Sequence, residues 1–246
     1  MSTSRHQPIA PTVLRRLDAG AGIDAHRHDD HQIAYAARGV LAVATDQGHW
    51  IAPADRAIWV PAGTVHQHRA YGRTDLYLVG LTEDPLALST PAVLAVSPLL
   101  RELLIACTDT ERSAAEHTRL RAVLLDQLRH TSQQSLKLPK ATDSRLAAVC
   151  AVLAADPASQ QTLASLGASV GAGERTLSRL FRSEFAMTFP QWRTQLRLHH
   201  ALILLAEGHP VTTIALRCGW STPSAFIDTF RRTFGHTPGR HLDRSR

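Results

Sequence analysis

The feature that most constrains this chain is a pattern written twice between Gln161 and Pro238. Leu177, Phe181, Arg182 and Phe185 stand at i, i+4, i+5 and i+8, and Phe226, Phe230, Arg231 and Phe234 repeat that spacing 49 residues later. Apolar residues at i, i+4 and i+8 share one face of an α-helix and must be covered by another element. A cover precedes each copy. Leu163, Leu166 and Val170 run into Gly171-Ala172-Gly173, and Val211, Ile214, Ala215 and Cys218 run into Gly219-Trp220-Ser221-Thr222-Pro223. A short helix, a Gly-bearing turn and a second amphipathic helix make a helix-turn-helix, whose second helix can enter the DNA major groove. Two plain helical hairpins would share the pattern. The repetition and the arginines on the outer faces favour DNA binding.

Charge placement agrees. Residues 140–246 carry 13 Lys/Arg against 7 Asp/Glu, whereas residues 1–139 carry 14 against 14, so the whole excess of +6 lies where phosphates would be met. The three cysteines, Cys107, Cys150 and Cys218, are odd in number and widely spaced, which reads as reduced thiols. No apolar run reaches a membrane-spanning length and the start lacks a signal-peptide pattern, so a cytoplasmic protein without membrane contact is expected.

Three stretches are specific enough to name a family: Thr176-Leu177-Ser178-Arg179-Leu180-Phe181-Arg182, Cys218 to Phe226, and Phe230-Arg231-Arg232-Thr233-Phe234-Gly235-His236-Thr237-Pro238. With them, residues from about 145 to 242 resemble the DNA-binding domain of AraC-type transcription regulators, two helix-turn-helix units joined by a long helix. One departure is His241-Leu242, where the family usually has Tyr-Arg after the proline. The resemblance implies double-stranded promoter DNA as a partner, and RNA polymerase as a further one.

The first part of the chain reads differently. Thr12–Leu17, Gln32–Ala37, Val40–Thr45, Arg56–Val60 and Leu76–Leu81 are strand-like, separated by Gly39, Asp46-Gln47-Gly48 and Pro61-Ala62-Gly63. Short strands with regular turn signals suggest a small β-barrel or jelly roll. Within it, His26-x-His28-x-x-x-Gln32 with Gly39 resembles the first cupin motif, and Pro61-x-Gly63-x-x-His66 the second. Carried over, the resemblance makes His26, His28, Gln32 and His66 a metal-ligand set, with Gln32 in place of the usual Glu and Asp55 in place of the second motif's opening Gly. Neutral imidazoles suit Zn, Ni, Cu or Fe. An amide is a poorer ligand than a carboxylate and brings no charge, so histidines that hydrogen-bond an organic ligand are the alternative. His31, next to Gln32, is expected on the opposite strand face. Tyr35, Trp50, Trp59 and His68 are the candidates to line an effector pocket.

Residues 86–138 read as helical, with Leu99, Leu103 and Ala106 on one face and Leu120, Val123, Leu124 and Leu128 on another. In the resembling family such helices pair two subunits, which implies a homodimer; packing onto the barrel is the alternative. Thr131–Thr142 reads as the interdomain linker. Asp143 is expected to cap a helix ending before Pro157, and Pro190 to open a long helix through Ala206, with Gly208 and Pro210 at its end. The expected fold is thus α+β in two domains. Residues 1–95 form a cupin-like sensor, 96–140 a helical dimerisation and linker segment, and 141–246 an all-α double helix-turn-helix.

On the first recognition helix Arg175 and Arg179 are the expected base readers, because Arg bonds guanine O6 and N7 in bidentate fashion. Ser178 is expected to serve a base or a phosphate, and Arg182 and Arg193 the backbone. The second unit offers Ser221, Thr222, Ser224 and Asp228, with Arg231 and Arg232 for phosphates. No catalytic residue is identified. The chain reads as a DNA-binding transcription regulator controlled by a small molecule or metal in the barrel. A metal-dependent cupin enzyme fused to a DNA-binding domain, or a regulator without an effector, are the alternatives.

Overall fold

Two long strands organise the first half of the chain. In the computed structural model, which describes residues 5–134 and 136–239, β4 (His31–Thr45) and β7 (His66–Leu81) pair antiparallel from His31 opposite Leu81 to Thr45 opposite His66. Their register is irregular between Ala36 and Val40. On either side of that irregularity the ribbon changes neighbours. The first half of β4 pairs with β6 (Arg56–Val60) and the second half with β5 (Gly48–Pro53). One end of β7 pairs with β3 (Gly22–His28) and the other with β2 (Val13–Leu17). β1 (Arg5–Gln7) adds to β3, while β8 (Ala92–Ala95) and β9 (Gln133–Gln134) extend the β6 edge.

This corrects the expectation of two strands, Gln32–Ala37 and Val40–Thr45, with a turn at Gly39. They are one strand with a bulge, the other device for which a chain uses a lone glycine. Gly39 has φ +77°, and a Cβ there would stand 2.4 Å from Thr74 Oγ1 and 2.7 Å from the Arg73 carbonyl. Only glycine allows so close an approach of β7.

The helical reading of residues 86–138 also needs correction. Residues 86–91 are irregular and 92–95 pair with β6, because four small apolar residues there complete a sheet edge. The two helices are α1 (Pro98–Cys107) and α2 (Ala114–Arg129), capped by Ser97 and by a Ser113/Glu116 capping box. Leu100, Leu103, Leu104, Cys107, Leu124 and Leu128 pack against Ile33, Tyr35, Trp59, Val79 and Leu81 of the sheet. They belong to the core of the first unit. The chain divides into two compact units between Lys137 and Leu138.

The second unit is helical: α3 (Ser144–Ala155), α4 (Leu163–Ser169), α5 (Glu174–Phe185), α6 (Phe189–Ala206), α7 (Val211–Arg217) and α8 (Pro223–Phe234). Asp143 caps α3 by accepting from the Arg145 N–H at 2.9 Å. α6 opens with Pro190 in its first turn and a Thr188/Gln191 capping box, and closes before Gly208 at φ +81°. Leu177, Phe181 and Phe185 of α5 are buried with Leu163 and Leu166 of α4 and Trp192 of α6. Phe226, Phe230 and Phe234 of α8 are buried in the same way beside Ile214 and Ala215 of α7. His241-Leu242, the departure from the family pattern, lies outside the described residues.

Candidate ligand chamber and DNA-reading face

The barrel interior is lined by histidines because β3 and β7 carry them at alternate positions. His26 and His28 on β3, and His66 and His68 on β7, are each buried, while Arg27 and Gln67 between them are exposed. His26 stands opposite His66 in the strand pairing, and their ring centroids are 4.4 Å apart. His28 lies 4.9 Å and His68 5.0 Å from His66.

Three of the rings are held by the backbone. Nδ1 of His26 meets the Asp24 carbonyl at 2.8 Å, Nδ1 of His28 the Asp30 carbonyl at 2.7 Å, and Nδ1 of His66 the Thr64 carbonyl at 2.8 Å. A carbonyl only accepts, so each Nδ1 is the protonated nitrogen and each neutral ring keeps its lone pair on Nε2. This outer-shell hydrogen bond is the one that orients metal-binding histidines. Burial lowers the pKa of His26, pushes that of His66 down to about 3, and holds that of His68 well below the ordinary value, so these three rings stay neutral.

Polar atoms are left over. Nε2 of His28 and His66, both nitrogens of His68, and both amide atoms of Gln32 are buried with no hydrogen-bond partner in the protein. Buried groups of this kind are normally satisfied, so the cluster marks a place for something the chain does not itself supply. The residues therefore fit a transition metal, or an organic ligand with several polar groups. A cleft of about 850 Å³ reaches His66 from outside, between the β4–β5 turn (Thr45, Asp46, Gln47) and residues 62–65.

The sequence-derived candidates separate on this frame. His26, His28 and His66 come together, and Gln32 sits on the inner face of β4. Trp50 is opposite Val43, itself opposite His68, so Trp50 and His68 share the inner face. Tyr35 and Trp59 do not join them. Both are fully buried under α1 and α2, and the Tyr35 hydroxyl donates to the Ala54 carbonyl at 2.9 Å. Neighbouring strand residues alternate faces, and here both faces are covered, so buried aromatics alone do not tell the inner face from the outer. His31 points away from Gln32 and stacks on Trp59 at 4.9 Å. His68 belongs with the metal candidates: donor atoms of His26, His66 and His68 lie within 4.8 Å of one another. Its place two residues after His66 on one strand was the available signal.

In the second unit, α5 presents Arg175, Thr176, Ser178, Arg179, Arg182 and Ser183 around one concave exposed patch. The turn before it is tight. Gly171 has φ +65°, and a Cβ on Gly167 would stand 2.2 Å from the Ala172 carbonyl oxygen. Arg193, expected on the DNA backbone, has contacts within the second unit. It lies over the Phe189 ring at 4.2 Å and donates to the Gln161 carbonyl. Its neighbour one turn on, Arg197, donates to the carbonyls of Pro157 and Ser159 at 3.1 and 3.2 Å. Both hold the α3–α4 loop to α6, a tertiary role that a helical wheel does not reveal. On the second unit, Ser221 and Ser224 are exposed, and Thr222 caps α8 by accepting from the Ala225 N–H at 3.1 Å. Asp228 pairs with Arg231 at 3.2 Å, and Arg232 donates to the Asp228 carbonyl at 3.3 Å.

Comparison with known proteins matches both halves. A helix-turn-helix domain family covers residues 166–244, and a cupin domain family covers residues 13–81. The HTH-type transcriptional regulator NimR of Escherichia coli (strain K12) is 31% identical over 225 residues, which is 89% of this chain and 82% of that protein. The chain belongs to the AraC-type transcriptional regulators. It is also similar to the HTH-type transcriptional regulator RipA of Corynebacterium glutamicum, 34% identical over 91 residues, covering 37% of this chain and 28% of that one. Among solved structures, an AraC-type transcriptional regulator from Chromobacterium violaceum is 25% identical. It aligns with 41% of this chain and 91% of its own, with a TM-score of 0.39. A cupin domain and an AraC-type helix-turn-helix domain occur together in this one chain. Among the described residues no helix is long and apolar enough to cross a membrane.

Proposed function

We propose that this AraC-type regulator binds promoter DNA through α5 and α8, under control of a small molecule or a metal ion held in the cupin barrel. The observation that carries the effector is the set of buried imidazole and amide atoms without protein partners, of which His66 lines an open cleft. Relatives that are transcriptional regulators support a regulatory and not a catalytic use of that barrel. A regulator that binds promoter DNA acts in the cytoplasm.

Arg175 and Arg179 read bases from the exposed patch of α5, with Ser178 beside them and Arg182 on a phosphate. On α8, Ser221, Ser224 and Arg232 meet the backbone. Asp228 neutralises Arg231 there, so the first unit supplies most of the specificity. An effector acts only through different affinities for the DNA-competent and other arrangements of the protein.

The test is promoter binding by the purified full chain, measured with and without candidate effectors. An occupied barrel should change the apparent Kd, and the double substitution His26→Ala, His66→Ala should abolish that change while leaving basal DNA binding intact. A Kd that no metal ion or metabolite moves would reduce the barrel to an assembly module.

A further inference from the structure

The barrel interior holds one imidazole more than the two cupin motifs account for. His68 follows His66 by two residues on β7 and therefore faces the same side. It is 3% exposed, and unlike His26, His28 and His66 neither of its nitrogens meets a backbone carbonyl. Its ring lies 5.0 Å from His66 and 5.7 Å from His26. The position from which the cupin motif offers a carboxylate is instead Gln32, a neutral amide whose oxygen and nitrogen are both unbonded.

We propose that His68 takes over the ligand role lost at position 32, so that the barrel holds a Zn- or Cu-type ion through His26, His66 and His68, with His28 as fourth donor. This rests on the reading of the barrel as a sensor and names a metal as its ligand. Donor chemistry sets the class of ion: imidazoles without a carboxylate suit Zn, Cu or Ni, whereas Mg, Ca and Mn favour oxygen. Tetrahedral Zn with nitrogens at ~2.0–2.1 Å needs donors roughly 3.4 Å apart, a short closure from the 4.8 Å within which the three lie. The backbone acceptors on His26, His28 and His66 already aim Nε2 of each. His68 has no such acceptor, so it is the ring free to turn toward an ion with either nitrogen.

The experiment uses the full-length, tag-free protein, titrated with Zn²⁺ against a chelator, with bound metal counted by elemental mass spectrometry and folding checked by circular dichroism. The wild type should bind about one ion per chain. His68→Gln should weaken Zn²⁺ binding by more than about tenfold, the lower end of what losing an outer-shell partner costs, whereas Gln32→Ala should retain it. Binding that survives in His68→Gln and is lost in Gln32→Ala would overturn the role of His68 and leave the metal reading standing. No binding by the wild type of Zn²⁺, Cu²⁺ or Ni²⁺ would overturn both. If His68→Gln does not fold, X-ray absorption of the Zn-loaded wild type decides. Four imidazole rings support the proposal, and three with an oxygen donor overturn it.

Discussion

At the scale of single residues, chemistry is set by what each side chain touches. Arg179 is exposed on α5 among other basic and hydroxyl groups, whereas Asp228 on α8 is already engaged with Arg231. Arg179→Ala should therefore weaken promoter binding by ~1–3 kcal/mol at the base it reads, and Asp228→Ala by less. Fluorescence anisotropy with an operator duplex ranks them, and the reverse order would sink the assignment. Glu83 gives a second prediction. The Arg121 guanidinium holds its carboxyl down to about 2 while also bonding the Gly80 carbonyl at 3.0 Å. A depressed carboxylate pKa stabilises the fold above the unfolded value near 4.5 and loses that contribution as pH falls toward 2. Both side chains are partly exposed, so solvent screening limits the effect to below about 1 kcal/mol. Urea midpoints at pH 6 and pH 3 should differ less in Arg121→Ala than in the wild type.

At the scale of elements, backbone geometry decides which periodicity is realised. The i, i+4, i+8 pattern at Leu177, Phe181 and Phe185 translated directly into a buried helix face, because a helix brings its own apolar residues together. The strands were harder. β4 is buried on both faces over residues 32–36, so it has no polar alternation to mark it, and Gly39 looked like a turn. In the folded protein Gly39 instead lets β7 cross within van der Waals distance. Gly39→Ala must adopt a left-handed φ and displace the β7 backbone, a cost of at least ~1–3 kcal/mol. Chemical denaturation followed by tryptophan fluorescence should show this loss. Gly20 at φ +79° has open space around it, so its alanine variant should cost less.

At the scale of the whole molecule, we propose a homodimer paired through α1 and α2, as the resemblance noted in the sequence implies. In this protein one face of α1 and α2 is spent on the barrel core, yet Leu99 and Val123 remain 51% and 43% exposed on those helices. Light scattering at micromolar concentration should give twice the chain mass, falling toward one chain in a Leu99→Asp, Val123→Asp variant. A monomeric wild type would count against the dimer and leave packing onto the barrel as the role of these helices.

The sequence by itself determined what is local and periodic. The doubled helix-turn-helix, the caps at Asp143 and Pro190, the basic second half and the histidine pairs at alternate strand positions all follow from spacing along the chain. Only the tertiary structure decided which residues meet across it. It grouped His68 with His26 and His66, turned Tyr35 and Trp59 toward α1 and α2, and set Arg193 against the Gln161 carbonyl. The physical reason is common to all three. A strand residue's face, or a long arginine's partner, depends on which distant segments cover it, and spacing along the chain carries no information about that cover.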